Sequence, residues 1–396
     1  MPDTPNQTLI QYLQPRSFLS FGPDFPRLEL RDLNVLIGAN GSGKSNLLEA
    51  INLLRAAPRE WREVTRKGGG VAEWIWKGEK KNGIARIDAW ICNPQRPQPL
   101  LHAMAFHAVA QAFALDDERV ENALPFPGQA QPYFYYRYQQ GHPMLNTTSN
   151  GERKLARDSI EPDRSILAQR RDPETYPELA WLAQSYESIR IYREWAFGRG
   201  AVFREPQKAD MRNDLLEEDF SNLGLFLNRL KTRFPAAKKA ILNGLKDLYD
   251  GIQDFDVFVE GGTVQVFFTE GDFSIPATRL SDGTLRYLCL LAILCDPEPP
   301  KMICIEEPEL GLHPDILPKV ADLLRAASER TQIVVTTHSD ILVDAMTETP
   351  EAVVVCAKEH GQTGMKRLKA EDLGEWLKNY RLGQLWTKGE IGGTRW

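Results

Sequence analysis

The sequence predicts an α/β fold in which one parallel-sheet unit is interrupted by a mixed or antiparallel β lobe and then by a helical lobe. Three features of the chain point there. The apolar run Leu33–Ile37 (LNVLI) leads through a glycine-rich turn at 38–45 into NLLEAINLLRAA, where Leu47, Leu48, Ile51 and Leu54 recur at helical spacing. From Thr284 to Cys356, helical runs alternate with strand-like apolar ones, as when parallel strands are joined through helices. Between these two regions the texture turns to β from Gly83 to Asn146, then to helix over about 175–250.

Taken in order, residues 1–31 read as a short leader and a strand pair, Ser17–Phe21 with Arg27–Leu30. Leu33–Ile37 has the apolar character of a buried strand. The helix after the glycine turn stops at Pro58, which has no N–H for a helix to use. Residues 58–83 read as a linker with Gly68–Gly70 and a Trp-rich patch at Trp74 and Trp76. Ile84–Cys92, His102–Ala114 and Pro132–Gln140 read as strands because Pro, Gly, Asn and Asp clusters separate them. Residues 146–175 are polar and read as loop. Leu179, Leu182 and Ile189, then Leu223, Phe226, Leu227 and Leu230, support helices. Asp256–Glu260 and Thr263–Thr269 flank Gly261–Gly262 as a hairpin. No internal repeat and no sustained heptad is present, so long coiled-coil arms are not expected. The expected divisions are 1–146, 147–275 (helical lobe and hairpin), 276–358 and a tail, 359–396.

Composition narrows the function. With 48 Lys and Arg against 54 Asp and Glu, the net charge of −6 argues against coating nucleic acid by bulk charge. The longest apolar run, Tyr287–Cys295, has nine residues, about half of a membrane span. Met1–Asn6 has no export signal, and five cysteines without a CxxC pair suit a reducing compartment, so the expected location is the cytoplasm, with no membrane partner. His102 and His107 lack further ligands, so no zinc site is expected.

Four motifs carry chemistry. Residues 38–45 (GANGSGKS) match GxxxxGK[ST], whose backbone N–H groups wrap a polyphosphate at a helix N-terminus. The candidate ATP-binding residues are Gly38, Asn40, Gly41, Ser42, Gly43, Lys44, Ser45 and Asn46, with Lys44 reaching the β- and γ-phosphates and Ser45 ligating Mg²⁺. Met302–Glu306 is an apolar run that ends in two acids; Glu306 would hold Mg²⁺ and Glu307 would act as general base. Ser281, Asp282 and Gly283 precede an apolar helix, a geometry that fits either an anion site or a plain N-cap. His338 follows a β-branched strand and would reach a γ-phosphate; a turn histidine is the blander reading.

The order of these motifs resembles the ATP-binding cassette (ABC) ATPase head. The resemblance implies a site completed by two chains around ATP and Mg²⁺, with Lys44, Ser45, Glu306, Glu307 and His338 on one face and Ser281, Asp282 and Gly283 contributed by the partner. The turn Glu309–Pro314 falls where that family has its D-loop. Transporter cassettes carry LSGGQ and Asp-Glu, whereas this chain has LSDGTLR, Glu-Glu and a signature serine, Ser281, 236 positions after Ser45. It is more similar to the RecF/SMC/OLD side, especially stand-alone prokaryotic ATPases with EEPExGLHP and TTHS motifs. That group is often paired with a Toprim-like protein and found in anti-phage systems, which implies a homodimer, a Toprim-like nuclease in trans, and DNA or RNA as candidate partners. The alternatives are a slow-hydrolysing scaffold that restrains a nuclease or toxin, and a transporter subunit. The family's glutamine loop is placed at Gln169, with Gln139 or Gln140 as alternatives.

No nuclease is expected in this polypeptide, since Asp254-Phe255-Asp256 reads as a turn entering a strand. Tyr133–Tyr138 fits either a base-stacking platform or a sheet strand. Arg190, Arg193, Arg199, Arg204, Lys208 and Arg212 fit either a phosphate-contacting face or a solvated helix. Trp386 and Trp396 either dock a partner or pin the tail.

Overall fold

The computed structural model describes residues 8–78, 83–110, 112–139, 141–147, 151–154, 159–161, 163–196, 198 and 200–393. Its central sheet has six strands in the order Arg190–Tyr192, Met302–Glu306, Gln332–Thr336, Leu33–Ile37, Val353–Glu359, Gln362–Arg367. The first five are parallel and the sixth closes antiparallel. The apolar runs read from sequence are buried on both faces, as parallel strands require. Alternate side chains divide between two cores. Val35, Ile37, Ile303, Ile305, Ile333 and Val335 face the helices Asp282–Leu294 and Leu317–Ser328. Leu36, Cys304, Val334 and Val354 face the helix Lys44–Ala56.

That second core is shared with an eight-stranded antiparallel sheet, in the order Leu28–Glu29, Ile10–Arg16, Ala85–Ile91, Leu100–Val109, Ala112–Asn122, Phe134–Gln139, His142–Thr147, Gly151–Lys154. Gln332 fastens the two sheets: Ile10 N donates to its Oε1 and its Nε2 donates to Ile10 O, both at 2.8 Å. A buried polar group also joins this lobe to the helices behind it. Glu118 accepts from Ile166 N at 2.9 Å and from Ser165 Oγ, and lies 3.3 Å from His102 Nε2, whose Nδ1 is 3.0 Å from the Tyr186 hydroxyl. The helices Pro177–Glu187, Leu223–Arg233 and Pro235–Leu248 precede a hairpin, Asp254–Glu260 with Thr263–Glu270, extended by Phe273–Pro276. No helix among the described residues is long and apolar enough to cross a membrane.

Several elements differ from expectation. Ser17–Phe21 is a turn, with Ser17 and Leu19 at φ 49°, and the strand is Ile10–Arg16, whose polar side chains hid it. His102–Ala114 is not one strand: the chain reverses at Ala110 (φ 48°), where alanines offer no turn signal. The linker at 58–83 contains the helices Trp61–Lys67 and Val71–Trp74, and Trp61 and Trp74 are buried. The eight-stranded sheet runs past residue 146 to Gly151–Lys154, and Arg190–Tyr192, inside 147–275, lies in the parallel sheet. The polar 151–154 and the three-residue length of 190–192 gave no periodicity to read.

Candidate nucleotide-binding site

Parallel strands bring their carboxyl ends to one edge of a sheet, and the candidate site forms there. Leu33–Ile37 opens into the glycine loop, where Gly38, Gly41 and Gly43 have φ of 147°, 76° and 103°. Side chains rarely adopt these values. A Cβ on Gly38 would lie 2.2 Å from Cys356 O, and one on Gly43 2.1 Å from Thr363 Oγ1, whereas at Gly41 it would meet open space. A chain of hydrogen bonds supports the loop from behind: Asn46 Nδ2 to Ser20 Oγ at 2.7 Å, Ser20 Oγ with Thr363 Oγ1 at 2.7 Å, and Thr363 Oγ1 to Ser42 O at 2.9 Å. Asn46 is therefore engaged in holding the loop. Asn40 is exposed at its rim.

Lys44 begins the helix and folds back over its own loop, donating to Gly38 O at 2.7 Å and Ala39 O at 3.2 Å. Burial lowers its pKa, while neighbouring groups, including Glu307 and Glu306, oppose the shift. The tail also reaches this loop: a Cβ on Gly393 would be 3.4 Å from Gly38 Cα. Just before it, the helix Leu382–Thr387 buries Leu382, Leu385 and Trp386, so Trp386 anchors the tail to the body. Trp396 lies outside the described residues.

Ser45 Oγ donates to Glu306 Oε1. Glu306 is gripped twice more: its backbone oxygen accepts from Trp195 Nε1 at 2.7 Å, and its Oε2 lies 4.0 Å from Arg193 Nε. A hydroxyl and a carboxylate are the hard oxygen donors that Mg²⁺ prefers, and Mg²⁺ usually completes its shell with water and substrate phosphate. Ser45 and Glu306, already in contact through Oγ and Oε1, fit that pattern.

The next residue, Glu307, has φ 48°, a costly conformation for a side chain of this size. Its N–H donates to Thr336 O at 3.0 Å, which fixes the turn against the adjacent strand end. Its Oε1 lies 3.4 Å from His338 Nε2. The backbone of His338 is held in turn by Glu309, whose Oε1 accepts from His338 N at 2.7 Å and Thr337 Oγ1 at 2.8 Å. Burial, and then the Lys44 charge, lower the His338 pKa against opposition from Glu307 and Glu309, so the ring is neutral near pH 7.

Ser281 caps the helix Asp282–Leu294, accepting from Thr284 N at 3.1 Å. It is exposed, and among the described residues no hydrogen bond joins it to residues 38–45. Gly283 packs against the Glu309–Pro314 turn, where its Cβ would lie 3.1 Å from Gly311 O. Asp282 turns towards its own chain, accepting from Gly198 N at 3.1 Å and from Arg204.

Gln169 is not part of this group. Its amide nitrogen donates to Glu161 O, Arg164 O and Ser165 O, and its Oε1 accepts from Glu161 N, so it staples its own loop. Gln139 ends a strand of the β lobe, and Gln140 lies outside the described residues. The segment that leaves Arg190–Tyr192, beside Met302–Glu306, occupies this edge instead. It supplies Arg193, which the sequence offered only as one of a run of basic residues, and Trp195, which the sequence reading missed. Arg193 also bonds Glu49, and Trp195 stacks on Phe220 with centroids 5.5 Å apart. The Arg286 guanidinium lies 4.7 Å over the Trp195 ring.

The basic residues at 190–212 do not form one face. Arg190 and Arg204 are buried, Arg193 is at the site, Arg212 pairs with Asp214, and Arg199 lies outside the described residues. Tyr135, Tyr136 and Tyr138 are buried in the sheet core, which leaves only Tyr133 of the four tyrosines exposed to stack a base.

A glycine loop, an acid pair at a strand end, a histidine after the neighbouring strand and a capped helix bearing LSDG together make an ABC-type P-loop ATPase head. The chain belongs to the family described as AAA domain, putative AbiEii toxin, Type IV TA system, whose model matches residues 33–88 and 151–344. Its fold is similar to the Smc head bound to the C-terminal winged-helix domain of ScpA, with 15% identity, a TM-score of 0.57, and coverage of 92% of this chain and 99% of that one. It is similar also to the Smc head with an extended coiled coil from Pyrococcus furiosus (14% identity, TM-score 0.55, 93% and 98% covered). The Smc head from Pyrococcus yayanosii gives 12% identity, a TM-score of 0.51, and 93% and 99% coverage. Comparison with curated proteins gave no match.

Proposed function

We propose that the protein hydrolyses ATP at a site shared by two copies of the chain. One observation carries this reading: Glu307, held in a strained backbone conformation, lies 3.4 Å from His338 and directly follows the residue that bonds Ser45. Ser45 and Glu306 would hold Mg²⁺, which supplies positive charge against the β- and γ-phosphate oxygens. Lys44 would leave Gly38 O and Ala39 O for the phosphates. Glu307 would accept the proton of the attacking water, and neutral His338 would donate to a γ-phosphate oxygen. Ser281, exposed and, among the described residues, not bonded to residues 38–45 of its own chain, would face the partner's nucleotide.

ATP would then join two heads and hydrolysis would release them. The head movement would gate nucleic acid or an effector, such as a Toprim-like nuclease in trans, in prokaryotic genome maintenance or anti-phage defence. Glu307→Gln should bind ATP, lose turnover by about 100-fold or more, and accumulate as a nucleotide-bound dimer in light scattering. Ser281→Arg should abolish turnover while monomers still bind nucleotide. Normal turnover by either variant would remove its assignment.

A further inference from the structure

We propose that Arg204 is a positioning residue for the shared site, neutralising Asp282 so that an acidic signature turn can face a partner's polyphosphate. The inference rests on the shared-site reading above. Transporter cassettes place glycine where this chain has Asp282, and glycine brings no charge. A carboxylate beside Ser281 would repel the triphosphate that Ser281 is to meet.

The structure shows what offsets that charge. Arg204 ends the short turn Val202–Arg204 and is only 9% exposed. Its Nη1 donates to Thr278 O at 3.0 Å and Leu280 O at 2.9 Å, so two backbone carbonyls fix the guanidinium plane. Nη2 is thereby aimed at Asp282 Oδ1 and bonds it. The same oxygen accepts from Gly198 N at 3.1 Å. The bond from Arg204 holds the Asp282 carboxyl below the usual carboxylate range, so it stays ionised and paired. A planar, prepositioned fork does this at lower entropic cost than a flexible ammonium. Both donors belong to the segment that leaves Tyr192, so the carboxylate turns back onto its own chain while Ser281 stays exposed.

The test uses the full chain carrying Glu307→Gln and reads ATP-driven pairing by sedimentation. Arg204→Ala should weaken pairing at least tenfold. Adding Asp282→Asn should restore it to within about threefold of the Glu307→Gln parent, because asparagine still accepts from Gly198 N but carries no charge. The Arg204→Ala defect should also shrink between about 0.05 and 0.5 M salt, as screened repulsion does, and the double variant should lack that dependence. If Arg204 only props the carbonyls of Thr278 and Leu280, Asp282→Asn will not rescue and salt will not matter; that result overturns the inference. Should Arg204→Ala fail to fold, Arg204→Lys decides: a retained charge should keep most of the pairing, and a loss equal to that of a non-binding control refutes charge neutralisation. If the parent itself does not pair with ATP, the shared-site reading falls and the inference with it.

Discussion

Replacing Gly38 with alanine separates the glycines the fold needs from those the loop merely favours. The new Cβ would stand 2.2 Å from Cys356 O and 2.9 Å from Ser42 Oγ. Cys356 belongs to the strand Val353–Glu359, which is paired with Leu33–Ile37 up to Val355 opposite Ile37, so its oxygen cannot retreat without opening the central sheet. A φ of 147° adds backbone strain. We take about 1–2 kcal/mol for the backbone and about 1–3 kcal/mol for overpacking, giving roughly 2–5 kcal/mol. Gly41 shares only the first contribution, since nothing lies within 4 Å of its Cβ. Gly41→Ala should therefore cost about 1–2 kcal/mol. Urea unfolding of the nucleotide-free protein measures both. Equal costs, or a Gly38→Ala loss below about 1 kcal/mol, would refute the argument that the strand Val353–Glu359 closes on the loop.

Other perturbations follow from the same contacts. Glu118→Ala leaves Ile166 N–H, Ser165 and His102 buried without their acceptor, and should cost about 3–5 kcal/mol in urea. Trp195→Phe keeps a ring on Phe220 but loses the 2.7 Å bond to Glu306 O; about 1 kcal/mol of support for the metal acid should go, raising the Mg²⁺ concentration for half-maximal turnover with little change in saturated rate. The folded-state pKa of His338 is lowered, so its proton binds more weakly than that of a free histidine, whose value is 6.5. Turnover should fall only as pH drops below that value, when an imidazolium would pair with Glu307 and tie up the base. His338→Gln should lose this acid limb, and a limb centred above 6.5 would count against the assignment.

Two strand ends in the parallel sheet were legible because their chemistry is written in consecutive residues. A phosphate loop needs glycines, a lysine and a serine in one turn, and a buried strand that ends in Glu306-Glu307 has nowhere else to put its acids. The edge beside them was not legible. Arg190–Tyr192 is three residues long, too short to show a period, so Arg193 and Arg204 read as part of a phosphate-contacting or solvated face and Trp195 was not singled out. Gln169 misled because an amide that donates and accepts closes a loop as readily as it binds a ligand. In the β lobe, the turn at Ala110 is made by residues that signal strand as readily as turn.

The place of Leu33–Ile37 in the sheet bears on how the chain is made. This strand lies between Gln332–Thr336 and Val353–Glu359, so neither of its neighbours exists until roughly 300 more residues have left the ribosome. At about 5–20 residues per second, that is a wait of roughly 15–60 s. For that time an apolar strand, and the glycine loop behind it, must be sheltered by the nascent β lobe or by a chaperone. Sequences that slow translation after residue 150 would lengthen the exposure, and yield on expression should respond to codon choice there before it responds to surface substitutions.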